Sequence, residues 1–207
     1  MNHQLDSLGR TEAITTLQNA GAPAQNIASN VGYLPFGPMT ALDYGNNLSL
    51  SITNDLDYRI TGISVDDISA TNPDVLGLTY TQNAVDNITA IADSVDVNES
   101  QTFLYDLLNR LQNADGDYGD QSYTYDPVGN RLSLTTLKDG NTTVETYTYD
   151  TASNRLLSVD EDGVVRTLQY DSNGNIVDDD RGSDTGFTLQ YNDQNRLIDA
   201  TPAGATP

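Results

Sequence analysis

Apolar and polar residues alternate in short runs along most of the chain. Before a series of Tyr-Asp or Tyr-Asn pairs the runs have period 2: Thr102-Phe103-Leu104-Tyr105, Tyr123-Thr124-Tyr125, Tyr147-Thr148-Tyr149 and Thr188-Leu189-Gln190-Tyr191. A second alternating run follows, as in Arg131-Leu132-Ser133-Leu134-Thr135. Tyr, Thr and Phe favour extended backbone, and strict alternation marks a half-buried strand. Between the runs lie Asp, Gly, Ser and Asn, which cap nearby amides or tolerate positive φ. Strand, tight turn and strand make a β-hairpin. Less regular turns join one hairpin to the next: Asp115-Gly116-Asp117-Tyr118-Gly119, Lys138-Asp139-Gly140-Asn141, Asp160-Glu161-Asp162-Gly163 and Asp180-Arg181-Gly182-Ser183. Helix signals are poor. Thr11–Ala20 reads as a helical turn or two, stopped by Gly21 and Pro23, and Ala24–Ser29 is equally short.

The hairpin phrase recurs at a nearly fixed period, which marks a repeat architecture. Its copies are YDLLNRL, YDPVGNRL, YDTASNRL, YDSNGNI and YNDQNRL, with tyrosines at 105, 125, 149, 170 and 191. The repeated positions are Tyr105, Asp106, Asn109 and Arg110; Tyr125, Asp126, Gly129, Asn130 and Arg131; Tyr149, Asp150, Asn154 and Arg155; Tyr170, Asp171, Gly174 and Asn175; and Tyr191, Asn195 and Arg196. Upstream the phrase decays. Gln82–Ile88 fits with Gln82 in the tyrosine position, Asn54–Ile60 fits more loosely, and Leu5–Arg10 is a copy whose tyrosine is Leu5. The chain thus divides into a degenerate first repeat and short irregular segment at 1–30, degenerate repeats at 31–101, and a regular array with a Pro/Gly tail at 102–207. About seven or eight hairpins are expected, in one twisted, mostly antiparallel sheet.

Composition narrows the chemistry. The 207 residues contain no cysteine and one histidine, His3. Disulfides, thiol catalysis and cysteine-based zinc sites are therefore excluded, and a catalytic triad or multi-histidine metal site is not expected. Nine basic residues stand against thirty acidic ones, a net charge of −21. That charge disfavours nucleic acid and anionic membranes, which bind Lys and Arg. No apolar run is long enough to span a bilayer, and Met1–Arg10 lacks the apolar centre of a signal peptide.

The five in-register copies resemble the Rhs, or YD-repeat, family. It includes bacterial polymorphic toxins, the C component of Tc toxins and the animal teneurins. Tyr33-Leu34-Pro35-Phe36-Gly37-Pro38, followed by Tyr44-Gly45-Asn46-Asn47-Leu48, is similar to a phrase of bacterial Rhs proteins. The resemblance implies hairpins joined edge to edge in a long sheet that spirals into a hollow shell around a toxic C-terminal domain. It implies a non-enzymatic, structural role. The expected partners are flanking YD repeats and a toxin cargo of a longer parent protein. The expected location is outside the cell or at its surface. The ends look cut from a longer array, since neither carries a capping repeat. The family's self-cleaving C-terminal signature is not matched, because Asp126-Pro127-Val128-Gly129 falls inside an ordinary copy.

Three site readings compete with structure. Tyrosines with Asp and Asn at regular spacing suit a cell-surface glycan, which gives the alternative of an adhesion or carbohydrate-binding module. Yet every hairpin needs a turn and not every hairpin needs a ligand, so recurrence favours turn-building. The loops Asp171–Asn175 with Asp178–Asp180, and Asp115–Asp120, are rich in oxygen donors, but calcium-loop spacing fails in the first. No carboxylate pair stands out for glycoside chemistry. No catalytic residue, metal or cofactor is expected.

Overall fold

The structure is a computed structural model that describes residues 1–16, 23–71, 74–182 and 186–202. Two compact units divide the chain, Met1–Phe103 and Leu104–Pro207. In the first unit the strands are Asn2–Leu5, Thr11–Thr16, Gln25–Tyr33, Met39–Tyr44, Leu48–Asn54, Ile60–Asp67, Asp74–Gln82 and Ile88–Asp93. Each pairs antiparallel with the next in sequence. The strand Gln101–Tyr105 follows, with Gln101 and Thr102 opposite Ile91 and Ala90. In the second unit Leu111–Asp115, Asp120–Tyr125, Arg131–Lys138, Asn141–Tyr149, Leu156–Glu161, Val164–Tyr170, Ile176–Asp179, Phe187–Tyr191 and Leu197–Pro202 form an antiparallel meander, each strand paired with the next. Among the described residues the only helix is the 3-10 turn Val97–Glu99, where the Asp96 carboxylate accepts from the Asn98 amide at 3.0 Å. The chain is all-β and antiparallel, as the alternation predicts.

One local expectation is corrected. Thr11–Thr16 and Gln25–Tyr33 are strands and not helical turns. Thr11, Ile14, Thr15 and Thr16 are β-branched, which favours extended backbone. Ile14 sits between partners on both sides, opposite His3 and Ala28. Pairing therefore decides the conformation of a segment whose local signals are weak. Residues 17–22 of the expected helical stretches, Ser183 of the last joining turn and the tail 203–207 lie outside the described residues.

The sheet has very little core. Among the described residues only Ala28, Ala114, Tyr147 and Leu168 are buried apolar side chains, at 5–9% exposure. The chain exposes 13537 Å², whereas a compact monomer of 22.4 kDa exposes about 9,400 Å². Folding thus removes about 58% of the unfolded chain's surface, the fraction usual for a domain of about 60 residues. Alternation is visible in the burial. On Asp120–Tyr125, Gln121, Tyr123 and Tyr125 are sheltered while Ser122 and Thr124 are exposed. On this strand one face carries Tyr123 and Tyr125 with Gln121, and the other carries Asp120, Ser122 and Thr124.

Candidate functional site: a file of carboxylate-built turns

The Tyr-Asp turns share one construction. At Asp126 the backbone N–H donates to the Asn130 carbonyl at 2.9 Å, and the Gly129 N–H returns to the Asp126 carbonyl at 3.2 Å. The side chain completes it: Oδ1 accepts from the amides of Val128 and Asn130 at 3.0 and 2.8 Å, and Oδ2 accepts from Asn130 Nδ2 at 2.8 Å. Asp171 does the same with Asn173 and Asn175. At Asp6, Asp55 and Asp106, Oδ1 accepts from two backbone amides and Oδ2 accepts from an arginine Nε, of Arg10, Arg59 and Arg110 at 2.8, 2.6 and 2.7 Å. Asn83 and Asn192 keep the two amide bonds to Oδ1.

The residue three after the turn's Asp or Asn stands at positive φ, and a one-residue bulge in the pairing sits at the residue before it. That combination gives a three-residue hairpin loop its twist. Gly129 at +100° and Gly174 at +93° fill the left-handed position without steric cost, and Asn109 at +61° and Asn195 at +56° fill it next best. The repeated asparagine therefore has two jobs. Asn109 and Asn195 are the left-handed residues, whereas Asn130 and Asn175 come one later and bond the turn carboxylate. The Asp150 turn is one residue longer. Its Oδ1 accepts from Ala152 and Ser153, and its left-handed residue is Asn154 at +54°.

These bonds hold the carboxyls anionic. The Arg10 amide acting on Asp6, and the Arg110 amide acting on Asp106, keep those groups below the usual carboxylate range. The Ala152 amide does so for Asp150, and the Asn175 side chain for Asp171. At Asp55 and Asp126 burial pushes upward, and the bonds from Arg59 and Asn130 outweigh it. Such groups carry no proton to give near neutral pH. Their chemistry is support.

A second set of contacts locks several repeats to the ones that follow them. Arg110 lies 4.6 Å from the centre of the Tyr125 ring and donates Nη1 to the Asp126 carbonyl at 2.9 Å. Tyr125 answers by donating its hydroxyl to the Leu111 carbonyl at 2.7 Å. Arg10 and Tyr33 repeat this with the carbonyls of Leu34 and Thr11, and Arg155 and Tyr170 with those of Asp171 and Leu156. Tyr149 donates to the Arg131 carbonyl at 2.9 Å. Arg131 stands one residue later in its turn than Arg110. It covers the buried Tyr147 ring at 4.3 Å and donates to the Tyr147 hydroxyl, which donates to Glu145. Burial, then Glu145, holds that phenol far above its ordinary range.

The turns also touch along one edge of each unit. In the second unit Asn130 reaches Asn154, and Asn175 reaches Asn195 at 3.0 Å. In the first, Tyr58 donates to the Pro35 carbonyl at 3.1 Å, and Arg59 pairs with Asp86. The remaining repeat residues keep this placement. Tyr105 and Tyr191 end strands ahead of Asp106 and Asn192, and the Arg196 amide donates to Asn192 Oδ1.

One turn carries no Tyr-Asp mark in the sequence, and the expected tyrosine position at Gln82 keeps its role with a different side chain. Leu34–Pro38 is a further turn of the file, with the Leu34 N–H on the Pro38 carbonyl at 3.1 Å and Phe36 at +56°. Its signal was Tyr33 followed by Pro-Phe-Gly, but no Asp marks it. Gln82 donates Nε2 to the Ile60 carbonyl at 2.8 Å, in the place of a tyrosine hydroxyl.

The oxygen-rich loops are committed elsewhere. Asp171 builds its turn, Asp179 pairs with Arg166 at 2.6 Å, and Asp180 accepts from the amides of Thr167 and Gly182. Asp115 and Asp120 share a hydrogen bond that raises the Asp120 carboxyl. Among the described residues no group of three or more His, Asp or Glu is placed to hold a metal ion.

No protein-family model matches the sequence, and no curated protein matches it. Solved structures do. The Tc holotoxin pore of Photorhabdus luminescens matches 94% of this chain with a TM-score of 0.68 at 18% identity. TcdB2-TccC3-TEV matches 94% at 0.67 and 19%, and TcdB2-TccC3 matches 95% at 0.68 and 18%. This chain spans 12% of the length of each of those chains. Likeness at this level of identity establishes a fold, and the fold is that of the YD-repeat hairpin array in these Tc toxin structures, as the repeated phrases imply.

Proposed function

We propose that this chain is a wall segment of a larger YD-repeat shell that encloses or delivers a toxin polypeptide, and that it does no chemistry itself. The observation that carries the reading is the bare sheet. Four buried apolar side chains among the described residues and 13537 Å² of exposed surface suit a wall better than a domain folded around its own core. The likeness to the Tc toxin chains supports the same role, and the parent protein is then a secreted bacterial toxin component. The chemistry is mechanical. Strand hydrogen bonds close the wall, and turn locks fix each hairpin on the next. A sugar-binding role needs free tyrosine faces, and Tyr33, Tyr125 and Tyr170 each carry a guanidinium instead.

Mass spectrometry on the natural protein, captured by an antibody to this segment, tests the proposal. The expected product is far larger than 22.4 kDa, with more Tyr-Asp repeats and a divergent segment that resists protease until the array is denatured. A natural product of this size alone, or a divergent segment cut equally fast before and after denaturation, would overturn it.

A further inference from the structure

The first unit contains a repeat that has lost its tyrosine ring and kept its hydrogen bond. Tyr125 stands before Asp126 and bonds the Leu111 carbonyl, the first residue past the preceding turn. Gln82 stands before Asn83 and bonds the Ile60 carbonyl, the first residue past the Asp55 turn, at 2.8 Å. The amide does the work of the hydroxyl but brings no ring to fill the space. A hollow of about 240 Å³ is left there, lined by Ile60, Ile63, Tyr80, Gln82 and Ile88.

Counted from the turn residues, these positions match Leu111, Ala114, Tyr123, Tyr125 and Arg131 of the regular repeat. Two of the walls are thus more apolar than their counterparts, since Ile63 and Ile88 stand where that repeat has Ala114 and Arg131. Ile60 is left 41% exposed. Arg59, the counterpart of Arg110, sends its Nη1 to the Asp86 carboxylate of the next turn instead of to a carbonyl beside a ring. An apolar cavity of about 150 Å³ holds benzene, so this hollow has the room.

We infer that the hollow at Gln82 is a binding site for one planar aromatic ring of benzene to phenol size. Tyr125 shows what fills the matching place in the regular repeat. The ring can come from a free aromatic molecule or from an aromatic side chain of a polypeptide. The site does not depend on the shell role.

The test is methyl NMR on the whole chain with labelled isoleucines. The probes are p-cresol, N-acetyl-phenylalaninamide and N-acetyl-leucinamide. The expected result is saturable ring-current shifts at Ile60, Ile63 and Ile88 with p-cresol, with the leucine amide at least about tenfold weaker. Gln82→Tyr should abolish the response while the Ile14 and Ile176 methyls stay unchanged. Ile63→Phe fills the hollow from another wall and should do the same. Binding of the phenylalanine amide as well as p-cresol would assign the site to side chains, and binding of p-cresol alone to free aromatics. Equal affinity for the leucine amide, or shifts that survive both variants, would overturn the inference.

Discussion

A single aspartate organises most of these turns. Asp126 satisfies two amides and one side-chain donor that the tight turn would otherwise leave open to water. Asp126→Ala should lower the urea midpoint. Asp126→Asn should lower it by less than half as much, because Asn83 and Asn192 show that an amide oxygen holds the same two bonds. Equal losses in the two variants would contradict this. The turn carboxyls also set the acid limit. Their folded values lie below the unfolded value of about 3.9, so their stabilisation is complete above that pH and is lost as pH falls through the lower folded values. Urea midpoints at pH 6 and pH 3 should show the drop, and Asp126→Asn with Asp171→Asn should make it shallower. Relief of repulsion in a chain of net charge −21 acts the other way in both proteins, so the difference isolates the turns.

At the scale of the element, the lock joins neighbours that lie about twenty residues apart in sequence. Arg110 and Tyr125 meet ring to guanidinium, and a double-mutant cycle on Arg110→Ala and Tyr125→Leu should give a coupling of about 1 kcal/mol. Arg110→Lys should recover little, since an ammonium cannot bond Asp106 and the Asp126 carbonyl while lying flat on a ring. A coupling near zero would remove the lock. The hairpins themselves were legible in sequence, because period-2 runs and Asp-Gly turns are local signals. Asp139-Gly140 and Asp162-Gly163 both stand at positive φ in two-residue turns. The lock was less legible. The phrase Asn-Arg hides two registers, one with Arg110 against the turn carboxylate and one with Arg131 beyond it. Only the count of residues between Asp and Arg separates them, three in the Asp106 turn and four in the Asp126 turn. Gln82 was legible as the tyrosine position of its copy, whereas Leu34 was not legible as a turn residue, since no Asp or Asn marks it.

At the scale of the whole molecule, the area removed from water is small for 207 residues, so the few sheltered side chains carry unusual weight. Leu168→Ala should cost about 2–5 kcal/mol, a large part of the stability usual for a domain. Denaturant unfolding read by circular dichroism measures it, and a loss under about 1 kcal/mol would show that the tyrosine face is not a packed layer. The central claim is that turn side chains, more than a core, hold this sheet together. Native-state hydrogen exchange tests it most directly. The amides that donate to turn carboxylates, those of Leu108, Arg110, Val128, Asn130, Asn173 and Asn175, are predicted to be as protected as the strand amides beside them. Free exchange at those turns while the strands stay protected would contradict the account.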